Sequence, residues 1–249
     1  MSVGCYLETC AETQKRDSIP NKKQGKQQPE SQIAQQKNQN RRIKIKGLDI
    51  EVLGIRMIKN VVMDMGNVLL YFTPQKTLER YCRSEEEKQL IMKELFCSDI
   101  WIMGDRGEIV NDQRYGLVKD KLPQSMHGTL RLIVDHWQDD LVQIPGAEDF
   151  VKKCKSAGYR MYVLSNACQL FYEYFPRRFD AKLFDGIMVS STVRLIKPDP
   201  RIYELLCSTY DLKPEECVFI DDRADNVEAA QGVGMRGIVF PGSYEGIHF

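Results

Sequence analysis

The sequence predicts an α/β protein, a parallel sheet with helices on both faces, interrupted once by a helical insertion. Three observations lead there. Short apolar, β-rich runs that end in polar residues recur along the chain. Amphipathic stretches of helical period lie between most of them, the arrangement of parallel strands joined by crossover helices. One long interval, 73–143, holds no convincing strand pattern, so it reads as an insertion of helices.

In order, residues 1–56 come first. This segment carries 11 basic and 6 acidic residues, or +5, against 24 and 29, or −5, over 57–249. It is rich in Gln, Asn and Lys and nearly free of aromatics, so it has little with which to build a core and is expected to be a disordered or non-native extension. Residues 43–55 are an exception, because Ile43-Lys44-Ile45-Lys46 and Ile50-Glu51-Val52 alternate as a short hairpin does. The globular part is expected from Met57, with catalytic-core segments 57–72 and 144–249 around the insertion. The first strand is 58–64. Within the insertion, Thr73-Pro74 and Ser84-Glu85-Glu86-Glu87 are helix starts, the second a capping box with an acidic first turn, and 111–119 and 128–138 are further helices. Beyond it come a helix over 147–157 closed by Gly158, a strand over Arg160–Ser165, a strand over Gly186–Ser190, a helix over 200–210, a strand over Val218–Asp221, a helix over 226–233 closed by Gly234, and a last strand over Gly237–Phe240.

Composition narrows the function classes. With 43% hydrophobic and 28% charged residues the chain is ordinary for a globular protein, which excludes collagen-like and disulfide-scaffold classes. No apolar run reaches membrane-spanning length, so neither a membrane nor, without a binding motif after the basic segment, a nucleic acid is an expected partner. The eight cysteines form no CxxC and have no histidine at ligand spacing, so they read as buried thiols of a reducing, cytoplasmic protein.

Strand ends of an open parallel sheet converge on a crevice at its carboxyl edge. The polar residues there are Asp64, Gly66 and Asn67 after the first strand, Ser165 and Asn166 after the second, Lys197 after the third, and Asp221, Asp222 and Asn226 after the fourth. Asp64 and Asp222 can share one small hard cation. Asp64 can attack phosphorus, and Ser165, Asn166, Lys197 and backbone N–H groups near Gly66 and Asn67 can stabilise the charge of a transferring phosphoryl group. His127, His136 and His248 lie outside these motifs. Cys168 has no basic partner in view and reads as a packed residue.

Over roughly 57–240 the sequence resembles the haloacid dehalogenase (HAD) superfamily, whose four motifs occur in order: Asp64-Met65-Gly66-Asn67-Val68, Ser165-Asn166, Lys197-Pro198, and Asp221-Asp222-Arg223-Ala224-Asp225-Asn226. The form of the first and fourth is most similar to bacterial sugar-phosphate phosphatases of the glucose-1-phosphate type. The resemblance implies a Rossmann-like core with a helical cap over 73–143 and hydrolysis of a small phosphorylated metabolite with Mg²⁺ by a cytoplasmic monomer or homodimer. It also implies roles: Asp64 as nucleophile and metal ligand, Gly66 giving a backbone carbonyl to the metal, and Asp222 as the second carboxylate ligand. Ser165 and Asn166 hold the phosphoryl oxygens, Lys197 neutralises them and orients Asp64, and Asp221 and Asn226 support the ligands. The cap loop with Trp101, Asp105, Arg106 and Glu108 resembles the relatives' loop and is expected to select substrate, with Arg106 in the phosphate-binding set. One departure stands out. Most family phosphatases carry a second Asp two residues after the nucleophile as acid and base, and Gly66 has no side chain. A binding protein that has lost catalysis and a metal-free dehalogenase are the alternatives; the Asp221-Asp222 pair favours a cation.

Overall fold

The computed structural model describes residues 57–249 and, before them, the strands β1 (Arg41–Ile45) and β2 (Leu48–Val52), which pair antiparallel. The expected hairpin is therefore present as a ladder. The expectation for the remainder of 1–56 lies outside the described residues. The chain divides into two units, Met1–Met57 and Ile58–Phe249.

In the second unit, β3 (Asn60–Met63) is the centre of a five-stranded parallel sheet. Beside it on one side are β6 (Arg160–Ser165) and then β7 (Gly186–Val189). On the other are β8 (Cys217–Asp221) and then β9 (Arg236–Val239). Successive side chains of a strand face opposite ways, and here both faces are covered. Val61, Met63, Met161, Val163, Val218 and Ile220 form one core with Phe150, Val151, Phe171 and Phe175. Val62, Tyr162, Leu164 and Phe219 form the other with Ile202, Tyr203, Leu206 and Ala230.

The insertion is bracketed by β4 (Leu70–Tyr71) and β5 (Val142–Gln143), an antiparallel pair too short to announce itself in the sequence. The second lies inside the interval expected to be free of strands. Between them run α1 (Pro74–Tyr81), α2 (Glu85–Ile91), a π turn over Met92–Phe96, α3 (Asp99–Asp105), α4 (Asn111–Lys119) and α5 (His127–His136). Ser84 caps α2 by accepting from the Glu87 N–H at 3.2 Å, while Glu87 reaches back to the Arg83 N–H at 2.6 Å, one residue earlier than a standard capping box. Leu78, Ile91, Leu95, Val118, Leu130, Ile133 and Val134 give these helices a core of their own.

Beyond β5 come α6 (Ala147–Ser156), α7 (Phe171–Arg178), the one-turn α8 (Ser190–Val193), α9 (Pro200–Tyr210) and α10 (Ala224–Gly232). Asp199 caps α9 through the Arg201 N–H at 3.0 Å. Because the chain leaves β3 toward β6 on one side and returns to β8 on the other, the sheet order switches at β3, and the carboxyl end of that strand opens onto a crevice.

Candidate active site

Strand register sets the site. Met63 pairs with Val163 on one neighbour and Ile220 on the other, and the Asp64 N–H donates to the Ile220 carbonyl at 2.9 Å. Asp64 therefore emerges between the end of β6, where Ser165 stands, and the end of β8, where Asp221 and Asp222 stand. The Asp64 carboxylate accepts from the Met65 N–H at 2.7 Å and is 8% exposed.

Lys197, only 3% exposed, joins two of these carboxylates. Its Nζ is 2.8 Å from Asp64 Oδ1 and 2.7 Å from Asp221 Oδ2. The Asn166 side chain grips the lysine backbone at both ends of its amide: Nδ2 donates to the Lys197 carbonyl at 2.9 Å, and Oδ1 accepts the Lys197 N–H at 2.8 Å. A cis peptide follows at Lys197-Pro198.

The adjacent aspartates differ in their partners. Asp221, fully buried, accepts from Lys197, from Asn226 Nδ2 at 3.0 and 3.1 Å, and from the Arg223 N–H at 2.9 Å, which occupies both its oxygens. Asp222 accepts from Asn67 Nδ2 at 3.1 Å. One oxygen each of Asp64, Asp221 and Asp222 lies within 4.8 Å of the others. Burial pushes the Asp64 carboxyl up to about 7 against the pull of Lys197, and Asp221 and Asp222 add to the rise. Asp222 is raised too, by burial and then by Asp221. Burial draws Lys197 down, but Asp221 and Asp64 more than offset it and hold it above the ordinary lysine range. Three carboxylates sharing one ammonium leave the crevice short of positive charge, and an all-oxygen donor set of this kind fits a hard divalent cation.

The expected residues sort into two groups. Asp64, Ser165, Lys197, Asp221, Asp222 and Asn226 come together, and Ser165 Oγ, buried, has no hydrogen-bond partner among the described residues. Gly66 stands beside Asp64, and a Cβ built on it meets nothing within 4 Å. Three others are placed differently from expectation. The Asn166 amide engages Lys197 rather than pointing free toward a phosphoryl group. Asn67, at φ +53°, donates its N–H to the Leu70 carbonyl at 2.7 Å and so closes a turn, and its useful contact is the side chain's with Asp222. Arg106, expected among the phosphate-binding residues, follows α3 with its side chain 48% exposed and 4.0 Å from Glu108, because the end of the helix turns it outward.

Trp101 joins Phe72, Phe96, Trp137 and Tyr174 in a chain of ring contacts with centroids 4.8 to 5.8 Å apart. Two of the three histidines are engaged within the cap: His127 bonds the Leu122 carbonyl and His136 pairs with Asp139. Cys168 is buried, with its thiol raised by that burial. No helix among the described residues is long and apolar enough to cross a membrane.

The chain belongs to the haloacid dehalogenase-like hydrolases, whose family model matches residues 58–234. Among relatives, a sesquiterpene phosphatase of Aspergillus oryzae is 28% identical over 187 residues, 72% of this chain and 88% of that protein. Protein CbbY of Cereibacter sphaeroides is 31% identical over 124 residues, 47% of this chain and 52% of the relative. A HAD family enzyme of Bacteroides thetaiotaomicron, solved with magnesium and inorganic phosphate, superposes with a TM-score of 0.61 at 22% identity, over 73% of this chain and 93% of that one. An L-2-haloacid dehalogenase of Xanthobacter autotrophicus superposes with a TM-score of 0.53 at 19% identity, over 73% and 76%. The protein is thus a hydrolase of this family, with the family's parallel-sheet core.

Proposed function

We propose that this hydrolase is a Mg²⁺-dependent phosphatase that cleaves a small phosphate monoester through an aspartyl-phosphate on Asp64. The observation that carries the reading is the shortage of positive charge around Asp64, Asp221 and Asp222, a site built for a cation and a phosphoryl group together. Asp64, Asp222 and the Gly66 carbonyl are the proposed metal ligands, and the ion supplies charge that draws a phosphoryl oxygen to the nucleophile. An oxygen of Asp64 attacks phosphorus, the alcohol leaves, and water then hydrolyses the acyl phosphate. Lys197 pulls Asp64 toward its ionised form and places it, while Asp221 and Asn166 hold Lys197 from either end. The Ser165 hydroxyl, without a partner among the described residues, donates to a phosphoryl oxygen.

The first motif favours a sugar phosphate. A second substrate class, the monophosphate of an apolar alcohol, is favoured by the ring cluster around Trp101 and Trp137 and by the name of the Aspergillus oryzae relative. Phosphate release from a panel of sugar phosphates and isoprenoid monophosphates, with magnesium and with chelator, separates these readings. Asp64→Asn should abolish turnover while leaving the protein folded. Halide release from a 2-haloacid at full rate in chelator would replace the phosphatase reading with a dehalogenase.

A further inference from the structure

Gly66 leaves the reaction without its acid on the strand side of the crevice, and a carboxylate of the cap, Asp105, lies within electrostatic reach of Asp64. Asp105 is the last residue of α3. Its backbone is fixed to the core at two points. The Ser190 hydroxyl donates to the Asp105 carbonyl at 2.5 Å while accepting the Ala167 N–H at 3.0 Å, so one side chain ties Asp105 to the loop that follows Ser165. Two residues on, Gly107 at φ +70° lies so close to the core that a Cβ there would be 2.2 Å from the Ser191 carbonyl oxygen. On the cap side, buried Arg114 packs against Gly104 and over the Trp101 ring at 4.4 Å, closing the space behind Asp105.

The Asp105 carboxyl accepts no hydrogen bond among the described residues. The charged and titratable groups around it are Arg114 of the cap and Asp64, Cys168 and Tyr174 of the core. The Tyr174 hydroxyl, buried and without a partner among the described residues, lies within electrostatic reach of both Asp105 and Asp64.

We propose that Asp105, delivered by the closed cap, is the general acid and base of the reaction in place of the side chain that Gly66 lacks. The inference rests on the phosphatase reading. As Asp64 bonds to phosphorus and the ester P–O bond breaks, the Asp105 carboxylic acid gives its proton to the departing oxygen, releasing the alcohol and leaving a carboxylate. That carboxylate takes a proton from the water whose oxygen attacks the aspartyl-phosphate. The Asp64–phosphorus bond breaks, inorganic phosphate and the Asp64 carboxylate are returned, and Asp105 is again an acid. Burial, against the pull of Arg114 and with a push from Asp64, raises its carboxyl to about 7, where both protonation states are populated at neutral pH.

Asp105→Asn tests this with two kinds of ester. Loss of a positioned proton donor is worth ~10²- to 10⁴-fold for an alkyl phosphate, whose alkoxide leaves poorly, and far less for the first step with an aryl phosphate of acidic phenol. With the aryl ester the variant should therefore form the phosphoenzyme but hydrolyse it slowly, so acid-quenched protein carries one extra phosphoryl group by mass spectrometry. Gly66→Asp added to Asp105→Asn should recover at least ~10-fold of the alkyl-phosphate rate, since the space at Gly66 is open. An Asp105→Asn rate within ~3-fold of wild type, or an equal loss for both esters with no trapped phosphoprotein, would refute the assignment. If the wild-type chain releases phosphate from no ester, the phosphatase reading fails and this inference with it. A leaving-group-indifferent variant of an active phosphatase refutes the inference alone.

Discussion

Replacing Lys197 by Met removes the one ammonium that two buried carboxylates share, and its cost can be worked from the geometry. The Lys197 side chain is 1% exposed, Asp221 0% and Asp64 12%, with contacts of 2.7 and 2.8 Å. Removing one partner of a buried ion pair costs about 3 to 5 kcal/mol, because the remaining charge stays buried without compensation. Protonation of Asp64 relieves part of that, so the lower end, ~3 kcal/mol, is expected at neutral pH, or a fall in Tm of ~6 to 12 °C for a domain of this size. The sign with pH follows from the directions of the shifts. Lys197 is raised in the folded protein, so its stabilisation is whole below the unfolded lysine value of 10.5 and disappears only as pH climbs through the raised one. Without the ammonium, the Asp64 carboxyl rises further above its unfolded value. The folded variant then binds protons more tightly than the unfolded chain, and its stability recovers as pH falls below the folded value. Thermal melts of both proteins in chelator should show a wide gap near neutrality that narrows in mild acid. A gap under ~2 °C at neutral pH, less than about 1 kcal/mol, or one that widens on acidification, would refute the reasoning.

Asp105→Asn should stabilise the protein in mild alkali, the reverse of most substitutions at a packed position. Its folded value near 7 lies above the ordinary 3.8, so stability falls as pH rises from 3.8 through 7 and the asparagine escapes that loss. A rise from 3.8 to about 7 sets a ceiling of ~4 kcal/mol, which solvent around this half-buried residue reduces to ~1 to 2 kcal/mol, read as a higher Tm in chelator at alkaline but not acid pH. Ser190→Ala should lower the Tm by ~2 to 12 °C, because it strands the buried Ala167 N–H and releases the Asp105 carbonyl, a loss of about 1 to 3 kcal/mol. A chain beginning at Met57 should keep the full-length fold and turnover. Loss of more than half the activity, or a Tm lower by ~5 °C or about 1 to 2 kcal/mol, would show that residues 1–56 are needed.

The sheet was legible because its inner strands β3, β6 and β8 are short apolar runs with a polar end, and burial on both faces is what such a run requires. Gly158, at φ +92°, likewise marks the end of α6 as the sequence predicts. The two-residue strands β4 and β5 escaped notice because the sheet geometry of a chain entering and leaving an insertion makes them, with no side-chain period to read. The Asn166 grip on Lys197 joins residues 31 apart, and no local pattern encodes it. The carboxylates were legible because two neighbouring strand ends, those of β3 and β8, deliver them by register alone.

The cap loop shows where composition stops informing. Asp105, Arg106 and Glu108 read as one polar loop, and charge complementarity to phosphate draws attention to the arginine. The fold divides them otherwise: Arg106 turns to solvent, while Asp105 is held at its carbonyl by Ser190 and followed by a glycine pressed against Ser191. Only the packing of cap on core says which neighbour is held within electrostatic reach of Asp64. If the acid does come from the cap, the reaction gains a condition that an acid two residues after the nucleophile does not impose. With the cap open, Asp64 has no proton donor beside it, and an ester bound loosely in the crevice keeps its leaving oxygen. With the cap closed, the same contacts that exclude water bring the proton, so substrate selection by the cap and chemistry at Asp64 become one event.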